Sequence, residues 1–177
     1  MSTTTIEEQL AKIRRRVASL RVCLHAGGRT ERPRIERHLD ALHQEEESLR
    51  GAARNAPDEV EERLGRLKTR LDVAEHALAA DSSRDWATFA GAVEAELRSW
   101  DTYLERLQTS AASRAWKARE QAEGAIGTLR TRRIAVDERL AEAREAAGDE
   151  LRERRERVSA ARDELEQKAD ELSATLR

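Results

Sequence analysis

The stretch IEEQLAKIRRRVASLRVCLHAG, residues 6–27, is answered further on by VEERLGRLKTRLDVAEHALAAD, residues 60–81. In the first, Ile6, Leu10, Ile13, Val17, Leu20 and Leu24 alternate steps of four and three. Four plus three residues nearly complete two helical turns, so these side chains form one seam along a helix. In the second, Val60, Leu64, Leu67, Leu71, Ala74 and Leu78 repeat the seam. Thr5 with Glu8 has the spacing of a capping box, and Gly27-Gly28 is a helix stop.

Two further helices are expected. One follows Thr30, an N-cap residue type, with Pro33 in its first turn, where a missing N–H costs little. Its seam is Ile35, Leu39, Leu42 and Leu49, with Glu46 where an apolar residue is due. Asn55 with Asp58 is expected to cap the helix that begins near Val60, and Ser82 with Asp85 to cap the next. That next helix carries Trp86, Ala90, Val93, Leu97, Trp100, Leu104 and Leu107. Trp86 and Trp100 are read as packing residues, supplying core area in a chain that is only 3% aromatic.

Residues 1–54 align with 55–108 seam on seam, and the turn-rich segments GGRTER and DSSRDW fall opposite each other. The fold class is therefore all-α: an antiparallel four-helix bundle, in one variant two tandem helical hairpins, over residues 1–110. A long amphipathic, coiled-coil-type C-terminal helix is expected over 111–177, with the fourth helix running on into it from about 84. QTSAASRAW at 108–116 is a weak breaker, and EAAGDELRE at 145–153 is the best candidate for a turn. Against a turn there, the apolar phase runs straight through.

The tail has its own pattern. Ala118, Leu129, Leu140 and Leu151 are spaced by elevens, as are Ala125, Val136, Ala147 and Val158; Val158, Leu165 and Leu172 return to sevens, with Leu176 closing the series. Eleven residues make almost three turns, so the stripe barely drifts. Arg133, Arg144, Arg155 and Arg162 flank one edge and Arg132, Arg139, Arg157 and Lys168 the other, with most acids on the far face. Arg154 falls mid-stripe and Ile134 on the polar face, against the pattern. Trp116 falls off the seam of the helix before it, which marks it as a contact residue.

The candidate partner- or surface-binding stripe is thus Leu129, Val136, Leu140, Leu151, Val158, Leu165, Leu172 and Leu176, edged by Arg133, Arg144 and Arg155, with Trp116 at its head. Two functions fit it. The first is a non-enzymatic interaction or scaffold protein that assembles through the C-terminal helix with itself or a protein partner. The second is a peripheral coat protein on a lipid or other apolar surface, since arginine stems cover apolar surface while the guanidinium stays wet.

The rest of the sequence narrows the field. Lys plus Arg is 33 and Asp plus Glu is 35, a net charge of −2. That balance argues against a broad electrostatic grip on nucleic acid. RRR at 14–16 is a candidate contact for phosphate or an acidic partner, but Glu7 and Glu8 lie close by; EEE at 45–47 is read as a solvated face. There is no phosphate-cradling loop, nucleophile elbow or zinc-protease motif. Asp40 and His43 make one loose Asp-x-x-His, too little for a carboxylate-bridged metal site. No cofactor or metal is expected, and no catalytic residue. Cys23, the only cysteine, excludes an intrachain disulfide and is expected to be half-buried beside the seam. With no signal-type apolar core at the start and no membrane-length apolar run, a soluble cytoplasmic protein is expected.

Overall fold

A computed structural model describes residues 3–26, 32–55, 59–112 and 116–175, with the side chains of 3–5, 24–26, 32, 54–55 and 173–175 left aside. Among the described residues the chain is all-helical, in six helices: α1 (Thr3–Ala26), α2 (Arg32–Asn55), α3 (Val60–Asp81), α4 (Trp86–Ala112), α5 (Trp116–Arg144) and α6 (Gly148–Thr175). None is long and apolar enough to cross a membrane. The chain divides into two compact units, Met1–Tyr103 and Leu104–Arg177, with the boundary inside α4.

In the first unit the expected seams meet. Ile13 and Leu20 of α1, Ile35, Leu39, Leu42 and Leu49 of α2, and Val60, Leu64, Leu67 and Leu71 of α3 form one buried cluster, with Ile6, Leu10, Val17 and Leu78 packed against it. Burying a side chain of this size contributes about 1.5–3 kcal/mol. Ion pairs at the rim set the directions. Arg34 at the start of α2 meets Asp81 at the end of α3 at 2.6 Å, while Glu45 and Ser48 further along α2 meet Arg66 and Arg63 near the start of α3, so α2 and α3 run antiparallel; Arg14 of α1 meets Glu46 of α2 at 2.7 Å. Arg16 meets Asp72 at 2.5 Å and Glu75 at 2.7 Å, while Lys68 bonds Gln9, so α1 and α3 run parallel. Glu46, the acid in the apolar register of α2, holds Arg14 and Arg50 at once.

A second face of α3, which the sequence reading did not separate, is also buried: Arg66, Thr69, Arg70, Val73, Ala77 and Ala80. The N-terminal part of α4 lies there, running the other way: His76 pairs with Ser99, and Arg70 with Trp100 and Tyr103. Phe89, Val93, Leu97 and Trp100 of α4 are each 2% exposed or less, whereas Trp86 is half-buried and stacks at a tilt on Phe89.

Several expected helix ends are corrected. Helix α1 begins at Thr3, so Thr5 lies inside it. Asn55 closes α2 instead of opening α3, whose N-cap is Glu59 without a side-chain cap bond. Ser82 belongs to the end of α3, where its N–H donates to Leu78 O. Asp85 is itself the N-cap of α4: its Oδ1 accepts the Thr88 N–H at 2.9 Å. Cys23 is exposed. The expected stop at Gly27-Gly28, the cap at Thr30, Asp58, the Thr5 and Leu24 side chains and Leu176 lie outside the described residues.

The second unit overturns the expectation of one long C-terminal helix. Glu145–Ala147 is a turn, and α6 packs along α5 as the other arm of a hairpin. Gly148 carries φ +60°, the only positive φ among the described residues. L-residues with a Cβ disfavour that region, so glycine's freedom matters here. Gly124 and Gly127, by contrast, sit inside α5 without interrupting it.

Candidate functional site

The C-terminal stripe is where the sequence places function, and the hairpin brings its two halves together. Leu129, Val136, Leu140, Val158, Leu165 and Leu172 are each 2% exposed or less, and Leu151 is half-buried. Arg132 of α5 meets Glu164 of α6 at 2.5 Å, which fixes the antiparallel register. The stripe therefore faces its own chain in this structure.

The buried positions also correct the period. In α5 they are Ala122, Ile126, Leu129, Val136, Leu140 and Ala143. Adding half-buried Arg133 between Leu129 and Val136 gives unbroken steps of four and three. In α6, Leu151, Arg155, Val158, Arg162, Leu165, Ala169 and Leu172 do the same. The series of elevens does not survive: Ala118 and Ala147 are exposed. The heptads were hidden because arginine holds three of their positions, and a guanidinium reads as surface until its stem is seen lying along apolar side chains.

Arg162 and Glu166 are each only 2% exposed and stand one turn apart on α6. Burying charges of opposite sign together softens a desolvation penalty that a lone ion would bear in full. Arg154, which contradicts an apolar stripe, has a different task. Its guanidinium donates to the backbone carbonyl of Glu142 in the last turn of α5 and is held from below by Glu150 at 2.5 Å. Carbonyls at a helix C-terminus lack intrahelical donors, and a cation there also meets the negative end of the helix dipole.

Not all of the candidate set is covered. Trp116 is 76% exposed, and every residue from 116 to 121 is exposed with it. Arg144 is exposed at the other end of α5, and Ile134 stands 53% exposed between them. Arg155 is half-buried and lines, with Arg152, Glu156, Ser159 and Asp163, a groove of about 530 Å³ along α6.

Groups elsewhere with chemical potential are engaged in structure. Two arms of RRR at 14–16 are bound: Arg14 to Glu46, Arg16 to Asp72 and Glu75. The Glu75 hydrogen bonds, ahead of Asp72's, raise the Arg16 pKa further above its ordinary value. Of EEE at 45–47, only Glu47 is exposed, 3.5 Å from His43 Nε2; Glu45 accepts the Tyr103 hydroxyl at 3.1 Å and lies 4.0 Å from Arg66. Asp40 and His43 are both exposed, and no group of three His, Cys, Asp or Glu among the described residues is arranged to hold a metal ion.

One polar cluster was missed. Thr69, Asp72, His76, Arg98, Ser99 and Thr102 line a groove of about 370 Å³ between α3 and α4. His76 Nδ1 is 3.0 Å from Ser99 Oγ, which also donates to Ala95 O at 3.2 Å. Which of His76 Nδ1 and Ser99 Oγ donates depends on the imidazole tautomer; where the hydroxyl proton goes to Ala95 O, Nδ1–H is the donor. The arrangement ties two helices together.

No protein-family model matches this chain, and neither a curated protein nor a solved structure resembles it significantly.

Proposed function

We propose that this chain is a non-enzymatic helical interaction or scaffold protein whose C-terminal region, residues 111–177, assembles with itself or with a protein partner. In this reading α1–α4 form an antiparallel four-helix bundle over 1–110 that serves as the body. The observation that carries it is Trp116, 76% exposed in a chain that buries Trp100 to 1%. Tryptophan supplies large apolar area with few rotatable bonds and is enriched among the residues that dominate interface energies.

The test is sedimentation equilibrium of the full chain over a wide concentration range, with Trp116→Ala beside it. Association that Trp116→Ala weakens by about tenfold or more supports the reading. A monomer throughout, with no change in Trp116 fluorescence in the presence of a candidate partner, defeats it.

A second reading, a peripheral coat on a lipid or other apolar surface, draws on Arg133 and Arg155, which are half-buried at seam positions and whose stems could cover apolar surface while the guanidinium stays wet. The hairpin would open and lay that seam on the surface. Co-sedimentation with anionic vesicles, lost at high salt, is its signature; no binding at excess lipid disposes of it.

A further inference from the structure

The α5–α6 hairpin closes through a turn whose residues are better suited to a helix. Glu145, Ala146 and Ala147 include no proline, asparagine or serine, and alanine and glutamate are among the strongest helix formers. The two seams are nearly in line across the turn. Ala143, Ala147, Leu151 and Arg155 recur at steps of four, one residue more than a strict heptad, so a straightened segment would carry the seams from Ala122 to Leu172 as one stripe with a local change of winding at the hinge.

What holds the turn closed is specific and small. Two backbone bonds of the i to i+3 kind, Glu145 N–H to Glu142 O and Ala146 N–H to Ala143 O, are 3.3 Å long. The Arg154 guanidinium caps Glu142 O, and Gly148 takes φ +60°. In a continuous helix, Glu142 O would instead receive the Ala146 N–H, and Gly148 would return to ordinary helical φ.

We propose that this hairpin is exchangeable: two copies of the chain open at 145–148 and trade α6, each α5 seam packing on the other copy's α6. Every seam contact, and the Arg132–Glu164 ion pair, is remade between chains with the same partners. The balance between one chain and two is then set by the hinge and by concentration. This rests on the reading of the chain as a self-assembling protein but uses the covered stripe, not the exposed Trp116.

The experiment uses the full chain with Cys23→Ser, Arg132→Cys and Glu164→Cys, a short bis-maleimide cross-linker, and light scattering. With the native hinge at low concentration the cross-link forms within one chain. Gly148→Ala strains the closed turn and favours the straight helix. Refolded at high concentration, it is expected to raise the dimer fraction about tenfold or more, giving twice the 20.0 kDa chain mass and interchain cross-links. Adding Ala147→Pro, which forbids a continuous helix, should return it to one chain. Should Gly148→Ala fail to fold by circular dichroism, Arg154→Gln takes its place, because it removes the cap of the closed turn together with one exposed ion pair to Glu150 inside α6.

A folded hinge variant that stays at 20.0 kDa with intrachain links overturns the exchange, as does a dimer that survives Ala147→Pro. Dimers that keep intrachain links and dissolve on Trp116→Ala also overturn it, while leaving the Trp116 reading standing.

Discussion

Arg70 lies 1% exposed, its guanidinium 4.8 Å from the Trp100 ring centre and 5.7 Å from that of Tyr103. The flat cation meets the negative faces of two rings that stand edge to face, 5.8 Å apart. Lysine keeps the charge but not the planar face. Arg70→Lys is expected to cost about 1–2 kcal/mol, read as a lower urea midpoint at unchanged slope. Arg70→Ala should cost more, since it also opens a cavity. Asp85 gives a pH signature. The Thr88 backbone N–H, and secondarily its side chain, hold the Asp85 pKa below the usual carboxylate range. A depressed folded-state pKa contributes stability above the unfolded-state value and loses it as pH falls through the folded-state value. Asp85→Ala should therefore melt below the parent at neutral pH, and the gap should close as pH drops below about 4. A gap that does not change with pH would show that the carboxylate's charge is irrelevant to the cap. Neither role was visible in the sequence. Arg70 has the composition of a surface residue, and Asp85 was read one turn out of place because two serines precede it.

At the scale of elements, the seams of α1 to α4 were legible because leucine, valine and isoleucine hold nearly every seam position. Sequence reading failed where charge occupies such positions. The second face of α3 opens with Arg66 and Arg70 before Val73, Ala77 and Ala80 reveal it. In α5 and α6, Arg133, Arg155 and Arg162 broke the sevens and left a false series of elevens. The turn at 145–147 was the best candidate on Gly148 alone, and the continuous apolar phase outweighed it. The direction of the stripe was legible, then, but what lies against it was not, since a helix pairs with a distant partner or folds back on its own chain by the same pattern. The buried charges make a separate prediction. Glu166→Leu alone removes a buried acid one helical turn from buried Arg162 and, where the two charges offset each other, is expected to cost about 3–5 kcal/mol. Arg162→Leu with Glu166→Leu is expected to be neutral or to stabilise by about 1–4 kcal/mol. Thermal unfolding of the three proteins decides it, and a double variant less stable than the single one would count against this account of the seam.

For the whole molecule, balanced charge is the leading property. With a net charge of −2 and an isoelectric point near 6.2, the chain has little long-range repulsion between copies just below neutral pH. Solubility at low ionic strength should pass through a minimum near pH 6.2 and recover on either side. Static light scattering across pH measures it, and a flat profile would mean that local surface charge outweighs the total. The exposure of Trp116 bears on the same measurement, because an apolar contact persists in salt while charge-driven association weakens.

The two faces of α3 carry a further consequence for how the chain comes into being. Most contacts join neighbours in sequence, α1 with α2, α2 with α3, α3 with α4 and α5 with α6; α1 also reaches α3, and α2 reaches α4 through Glu45 and Tyr103. Proteins built from such local contacts fold in microseconds to milliseconds. A nascent chain in which α1 to α3 have packed and α4 has not would leave Val73, Ala77 and Ala80 bare. In that order of folding, the vulnerable moment would fall between the third helix and the fourth, with a core in place but not yet its cover.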